Sequence, residues 1–160
     1  HNFKPKVSLK DYDINFGIEL LDEKALIFTE TTECFGGLPV GIEGNVIAII
    51  DDDKQAHNAS ILAALSMMRR GCKIIPVAYG DIDISLINKY SYGNYEELKI
   101  IKNNEDLKKI IDENDAKAIV VGNSLKNIDK IDKTLNEFTI ITPLIIFDDD
   151  EIKNELERYK

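Results

Sequence analysis

Apolar and polar residues alternate across residues 12–20 (YDINFGIEL) and again across residues 24–30 (KALIFTE). That is the period-two pattern of half-buried strands. Only Leu21, Asp22 and Glu23 separate the two runs, so together they predict a β-hairpin. The next stretch, CFGGLPVGIEG, carries Gly36, Gly37, Pro39, Gly41 and Gly44 and predicts a linker with little helix or strand propensity. Strand and helix signals then alternate. Residues 46–50 are continuous and mostly β-branched, as in a strand covered on both faces. Residues 56–70 put Ile61, Leu62, Leu65 and Met68 on one helical face, with Gly71 placed to stop the helix. Residues 73–78 (KIIPVA) predict a second strand, in which Pro76, lacking an N–H, points to an edge position or a bulge.

Further on, residues 82–90 predict a short helix and residues 98–102 a short strand. Residues 105–113 (EDLKKIIDE) form an amphipathic helical pattern, and residues 117–121 (KAIVV) a clear strand. Gly122, Asn123 and Ser124 make a turn, with Ser124 as cap of a helix over residues 125–136. A strand over residues 139–141 stops at Pro143. Residues 148–159 predict a last helix whose acidic first turn suits the helix dipole. Repeated β-α units imply a parallel sheet with helices on both faces. The fold class is therefore α/β, a Rossmann-like parallel sheet, preceded by a β-hairpin.

Composition narrows the class. The chain has 160 residues, 44% hydrophobic and 31% charged, enough for about one globular domain. No apolar run approaches the roughly 20 residues that span a bilayer, and no signal-peptide pattern is present. The first residue is His1 rather than Met, so the chain reads as trimmed or as a piece of a longer protein. Two cysteines, Cys34 and Cys72, are too few for a disulfide framework and read as free thiols in a reducing, cytoplasmic setting. Cys34 is expected on an exposed loop, where Glu33 is the wrong sign to activate a thiol. Cys72, just before a strand, is expected to be packed. The formal charge of -9 repels nucleic-acid phosphates, and Arg69 with Arg70 is too small a basic spot for RNA recognition.

Ligands in parallel sheets bind beyond the carboxyl ends of the strands. Two segments lie there and can face one crevice: Asp51-Asp52-Asp53-Lys54, and Gly122-Asn123-Ser124. The three aspartates present the carboxylate oxygens that Mg²⁺ prefers. They read equally as a solvated acidic loop, with Asp53 starting the helix. Without metal they repel a triphosphate, since like charges about 4 Å apart cost about 4 kcal/mol at a surface-like dielectric. His57 is a general base or ligand only if a partner stands beside it, and otherwise a surface histidine. Backbone N–H groups at Gly122-Asn123-Ser124 can hold an anion at a helix start, or merely close a turn. The Asp148-Asp149-Asp150-Glu151 run reads as dipole complement.

Three segments resemble one family. DINFGIELLDEKALIFTE is similar to the closing hairpin of an RNA-binding THUMP domain. GGLPVGIEGNVIAII, with SILAALSMMRRGCKIIPVAY after the junction, resembles a Gly-Gly-Leu-Pro-Val-Gly lead-in, a strand, a Met-Met-x-Arg-Gly helix end and a Val-Ile-Pro-Val strand. DAKAIVVGNSLKNIDKIDKTL with TPLIIFDDDEI resembles a strand ending in Gly-x-Ser-Leu and a following Pro-Leu-Ile stretch. These are features of the PP-loop family of tRNA 4-thiouridine sulfurtransferases, whose members also serve thiamine biosynthesis. The resemblance implies residues 1–35 as the end of a THUMP-like domain plus linker, and residues 36–160 as a PP-loop-like α/β domain. Ser60, which matches the last serine of the family's loop, joins the two strand-end segments in a candidate nucleotide site of Asp51, Ser60, Gly122, Asn123 and Ser124, and the carboxylates of Asp51, Asp52 and Asp53 are the candidate metal residues.

The family loop Ser-Gly-Gly-x-Asp-Ser binds ATP phosphates by close backbone approach, which glycine permits. Counted back from Gly71, its six positions fall on Gln55, Ala56, His57, Asn58, Ala59 and Ser60, and only Ser60 matches. Counted forward from the strand, Asp51 comes first, four residues before Gln55 and so about one helical turn away. Both glycines are missing, and residues 79–117 hold no family-like cysteine. Three readings follow. In the first, the chain is a degenerate relative without ATP-driven sulfurtransferase activity. It is then a binding or assembly module, working as a homo-oligomer, with an active paralogue, or on tRNA through a region outside this chain. In the second, it is an enzyme that binds ATP and Mg²⁺ and adenylates a tRNA uridine, with sulfur from a separate carrier. A plain structural module without ligand is a third.

Overall fold

The computed structural model describes residues 7–8, 10–31 and 36–159, and its contacts divide the chain into two units after residue 35. In the first unit, β1 (Gly17–Leu21) pairs antiparallel with β2 (Lys24–Phe28). Leu21 stands opposite Lys24, so Asp22 and Glu23 alone make the turn. The pairing begins at Gly17, and residues 12–16 of the predicted first strand lie outside it.

The second unit is a five-stranded parallel sheet in the order β5-β4-β3-β6-β7. Its strands are β3 (Asn45–Ile49), β4 (Lys73–Ala78), β5 (Lys99–Ile100), β6 (Ala116–Val120) and β7 (Ile140–Ile141). The helices are α1 (Lys54–Arg69), α2 (Ser85–Lys89), α3 (Asn104–Glu113) and α4 (Asp149–Glu157). The α/β, Rossmann-like class read from the sequence is the observed one. Alternate residues of the strands face opposite ways. Ile47, Ile75, Val77, Ile119 and Val121 form one core with Leu107 and Leu135, all buried. Toward α1 stand the buried Val46, Ala48, Ile74 and Val120, with Ile61, Leu62 and Leu65 of the helix fully covered.

Pro76 does not lie on an edge strand. It sits in β4, opposite Ala48 of β3, with β5 on the other side. Val77 C=O accepts from Ile50 N–H, so residue 77 faces β3 and residue 76 faces β5. The β5 pairing starts only at Val77, opposite Lys99. The proline thus occupies the one side of an interior strand that is locally unpaired.

Two further expectations are corrected. Residues 125–136 form no α-helix but two 3₁₀ turns, Ile128–Lys130 and Lys133–Glu137. Side chains intercept the backbone: Asn127 Oδ1 accepts from Ser124 N–H, and Asp132 Oδ1 from Thr134 N–H. Short polar side chains compete with helix hydrogen bonds in this way. The glycine-rich stretch after residue 35, read as a linker, is a docked segment. Leu38 N–H donates to Arg69 C=O at 2.9 Å, and the Gly41 and Glu43 N–H groups both donate to Gly71 C=O, at 2.8 and 3.0 Å. Gly71 itself ends α1 in a Schellman turn, with φ +88° and the Cys72 N–H on Met67 C=O. A Cβ there would press on Ile42 and Leu38.

Candidate functional site

Strand order reverses between β3 and β6, and the crevice of a doubly wound sheet opens beyond the carboxyl ends of the strands at that point. The residues after β3 are Asp51, Asp52 and Asp53; those after β6 are Val121, Gly122, Asn123 and Ser124. Two of the sequence-predicted site residues meet there. A Cβ on Gly122 would stand 2.5 Å from Ser60 N and 2.6 Å from Ala59 C, so the β6 turn lies directly on the first half of α1. Ser60 is buried. Its Oγ accepts from Asp51 N–H at 3.2 Å and donates to His57 C=O at 2.9 Å, tying the strand end to the helix.

The acidic run divides its labour. Asp53 is the N-cap of α1, and its Oδ1 accepts from Gln55 N–H and Ala56 N–H at 3.1 and 3.2 Å. Asp52 is exposed. Partial burial, then the charges of Asp52 and Asp53, raise the Asp51 carboxyl above its usual range, against the pull of His57. The Asp51 side chain still reaches solvent, which blunts both effects. The His57 Nδ1 lies 3.2 Å from the Asp51 carbonyl oxygen, which can only accept, so Nδ1 carries the hydrogen of that bond.

On the other side, Ser124 is buried, its N–H donates to Asn127 Oδ1 at 2.7 Å, and Asn123 Nδ2 donates to Asn127 C=O at 2.9 Å. The predicted helix start at Ser124 is absent, and the Leu125 N–H is engaged by Ile145 C=O. Asn127 is the residue sequence reasoning missed; an Asn three residues after Ser124 was the available signal. Asp83 was also missed. It lies further along the loop after β4, two residues before α2 begins at Ser85. Hydrogen bonds from Ser85 hold its carboxyl below the usual range, with a smaller contribution from His57. Cys72 is buried, as expected, and burial followed by the Glu43 charge pushes its thiol up, against Arg70. Cys34, expected on an exposed loop, lies outside the described residues.

Four backbone donors at this mouth are already engaged: Asp51 N–H by Ser60, Gln55 and Ala56 N–H by Asp53, and Ser124 N–H by Asn127. Nor do carboxylates converge as a cation shell. Among the described residues, no group of three or more His, Cys, Asp or Glu side chains is placed to hold a metal ion.

Known proteins share this sheet. The chain is 36% identical over 110 residues to the probable tRNA sulfurtransferase of Thermococcus kodakarensis, a match covering 63% of this chain and 28% of the relative. It is 44% identical over 70 residues to the probable tRNA sulfurtransferase of Methanocaldococcus jannaschii, covering 44% of this chain and 17% of the relative. The chain is a relative of the tRNA sulfurtransferases over these matched segments. The matched segments span less than a third of the length of these two sulfurtransferases, so the chain corresponds to only part of them. No protein-family model matches it. The crystal structure of PH1313 from Pyrococcus horikoshii OT3 superposes with TM-score 0.70 at 33% identity, over 94% of this chain and 52% of that one. A 4-thiouridine synthetase–RNA complex with bound ATP superposes with TM-score 0.63 at 21% identity, over 96% of this chain and 50% of the other, and shares the fold. Among the described residues no helix is long and apolar enough to cross a membrane.

Proposed function

We propose that this chain keeps the sulfurtransferase scaffold without ATP-driven sulfur transfer and acts as a binding or assembly module in tRNA modification. One observation carries the reading: the β3–α1 junction is closed by its own side chains. Ser60 Oγ holds the Asp51 N–H, and the Asp53 carboxylate sits on the helix N-terminus where an incoming anion would have to sit. No glycine lies between Ile50 and Ser60 to let the backbone close on phosphates. Asp51, Asp52 and Asp53 add like charge to that barrier. Contact with tRNA belongs, on this reading, to a region outside the chain or to an active partner. The competing reading has the crevice bind ATP–Mg²⁺ through Asp51, Asp52, Asp53, Ser60, Gly122, Asn123 and Ser124 and adenylate a tRNA uridine; in its favour, both segments do lie at the switch point of the sheet.

Thermal melting in millimolar ATP, with and without Mg²⁺, decides between them. Ligand at 100 times its dissociation constant stabilises a folded state by about 2.7 kcal/mol. The expected result is an unchanged melting temperature. A rise that saturates with ATP–Mg²⁺ would overturn the proposal.

A further inference from the structure

Tyr159, in the turn after α4, is bonded at both ends of its side chain and backbone. It is buried, and its N–H donates to Leu156 C=O at 3.0 Å. Its hydroxyl oxygen accepts from the Arg69 guanidinium at the end of α1. Its carbonyl oxygen accepts from the Tyr90 hydroxyl at 2.8 Å and from Lys89 Nζ at 3.2 Å, at the end of α2. The Tyr90 and Tyr159 rings meet edge to face, with centroids 5.5 Å apart. Both of these neighbours go on to hold residues 36–44. Arg69 C=O accepts from Leu38 N–H, and a Cβ on Gly37 would run into that carbonyl. Beyond Tyr90 the chain turns tightly: Asn94 N–H donates to Ser91 C=O at 3.0 Å, around Tyr92 (φ +48°) and Gly93 (φ +94°). The Tyr92 ring leans edge-on against Tyr90, 6.4 Å between centroids. Asn94 Nδ2 then donates to Val40 C=O at 3.3 Å, and Glu96 pairs with Lys73, whose N–H donates to Gly44 C=O at 2.8 Å. A left-handed tyrosine persists only where its surroundings hold it.

We infer that Tyr159 is a latch for the lead-in: with the end of α4 docked against α1 and α2, residues 36–44 stay seated, and release of either end loosens the other. Two routes join them. One runs through Arg69 to Leu38, the other through Tyr90 and the Ser91–Asn94 turn to Val40 and Gly44. Without Tyr159, Arg69 and Tyr90 each lose a contact that fixes their side chains, and the backbone they steady becomes freer to open. The effect runs both ways, as any coupling free energy must. The latch lies at the amino ends of the strands, away from the Asp51 crevice, and does not depend on whether ATP binds there.

Hydrogen exchange followed residue by residue on the full chain tests this. Tyr159→Phe removes the hydroxyl that meets Arg69, and Tyr90→Phe the one that meets the Tyr159 carbonyl; both keep their rings. In each variant the Leu38, Gly41 and Glu43 amides should exchange about tenfold faster, the effect of one lost hydrogen bond. The amides of residues 60–68 in α1 should keep their protection. Gly37→Ala works from the other end. Its methyl pushes the lead-in off Arg69, and the Arg158 and Tyr159 amides, bonded to Glu155 and Leu156 C=O, should then exchange faster. Lead-in amides that keep the parent rate in either tyrosine variant overturn the inference. So does an equal loss of protection over residues 36–44 and 60–68, which is plain destabilisation. So does a Gly37→Ala chain whose Arg158 and Tyr159 amides exchange as in the parent.

Discussion

Gly122 and Ser60 touch where the two halves of the sheet meet, and the space between them is less than a methyl group. Gly122→Ala forces backbone apart, since the new Cβ would sit 2.5 Å from Ser60 N. Overpacking of this kind costs about 1–3 kcal/mol, which urea unfolding will read. Gly80→Ala is the control: nothing lies within 4 Å of its Cβ position, and the midpoint should stay put or rise slightly. Asp51 gives a pH signature. Its folded carboxyl titrates above the ordinary range, chiefly through burial and then through Asp52 and Asp53. The folded state thus holds that proton more tightly than the unfolded chain, and this residue favours folding more as pH falls from its raised value to the ordinary one. Asp51→Asn should therefore be more stable than the parent at pH 7, and the gap should close on acidification through that window. A gap independent of pH would contradict the assignment.

Among the elements, α1 and the segment between β6 and β7 are opposites. Residues 60–68 of α1 are buried except for the half-buried Ser66, and Asp53 and Gly71 finish the helix ends. The 3₁₀ turns have Leu135 as their one buried residue. Hydrogen exchange should find the amides of residues 60–68 among the slowest, and those of residues 126–137 opening at lower free energy. The same contrast explains what the sequence made legible. The strand over residues 73–78 and the α1 face at Ile61, Leu62 and Leu65 were readable because burial on a regular element imposes a period. The segment 125–136 was misread because Leu125, Ile128, Ile131 and Leu135 mimic a helical stripe, while Asn127 and Asp132 decide the backbone through local bonds that periodicity does not register. Asp51 and Gly122 were correctly placed at strand ends; that Ser60, Asp53 and Asn127 would use up the nearby N–H groups depends on distances no string of residues displays.

For the whole molecule, charge sets the terms of association. A net charge of -9 opposes approach to nucleic-acid phosphates and predicts weak binding by this chain. A tRNA gel shift by this chain alone at physiological salt should show binding no tighter than about 100 µM, the weak end of non-specific affinity. A retarded band at low micromolar chain would instead place an RNA contact within these 160 residues. The likeness to the sulfurtransferases is distributed unevenly along α1. The lead-in at Gly36, Gly37, Leu38 and Gly41 packs at its C-terminal end, and the departures gather at its N-terminal end, about 24 Å away for a 16-residue helix.

That clasp has a practical side for anyone cutting the gene. A recombinant piece begun at Asn45 would include every strand of the large sheet and look sufficient on paper. It would strip the caps from the Arg69 and Gly71 carbonyls and bare the groove that Leu38 and Ile42 fill. The sensible place for the scissors is upstream of Gly36.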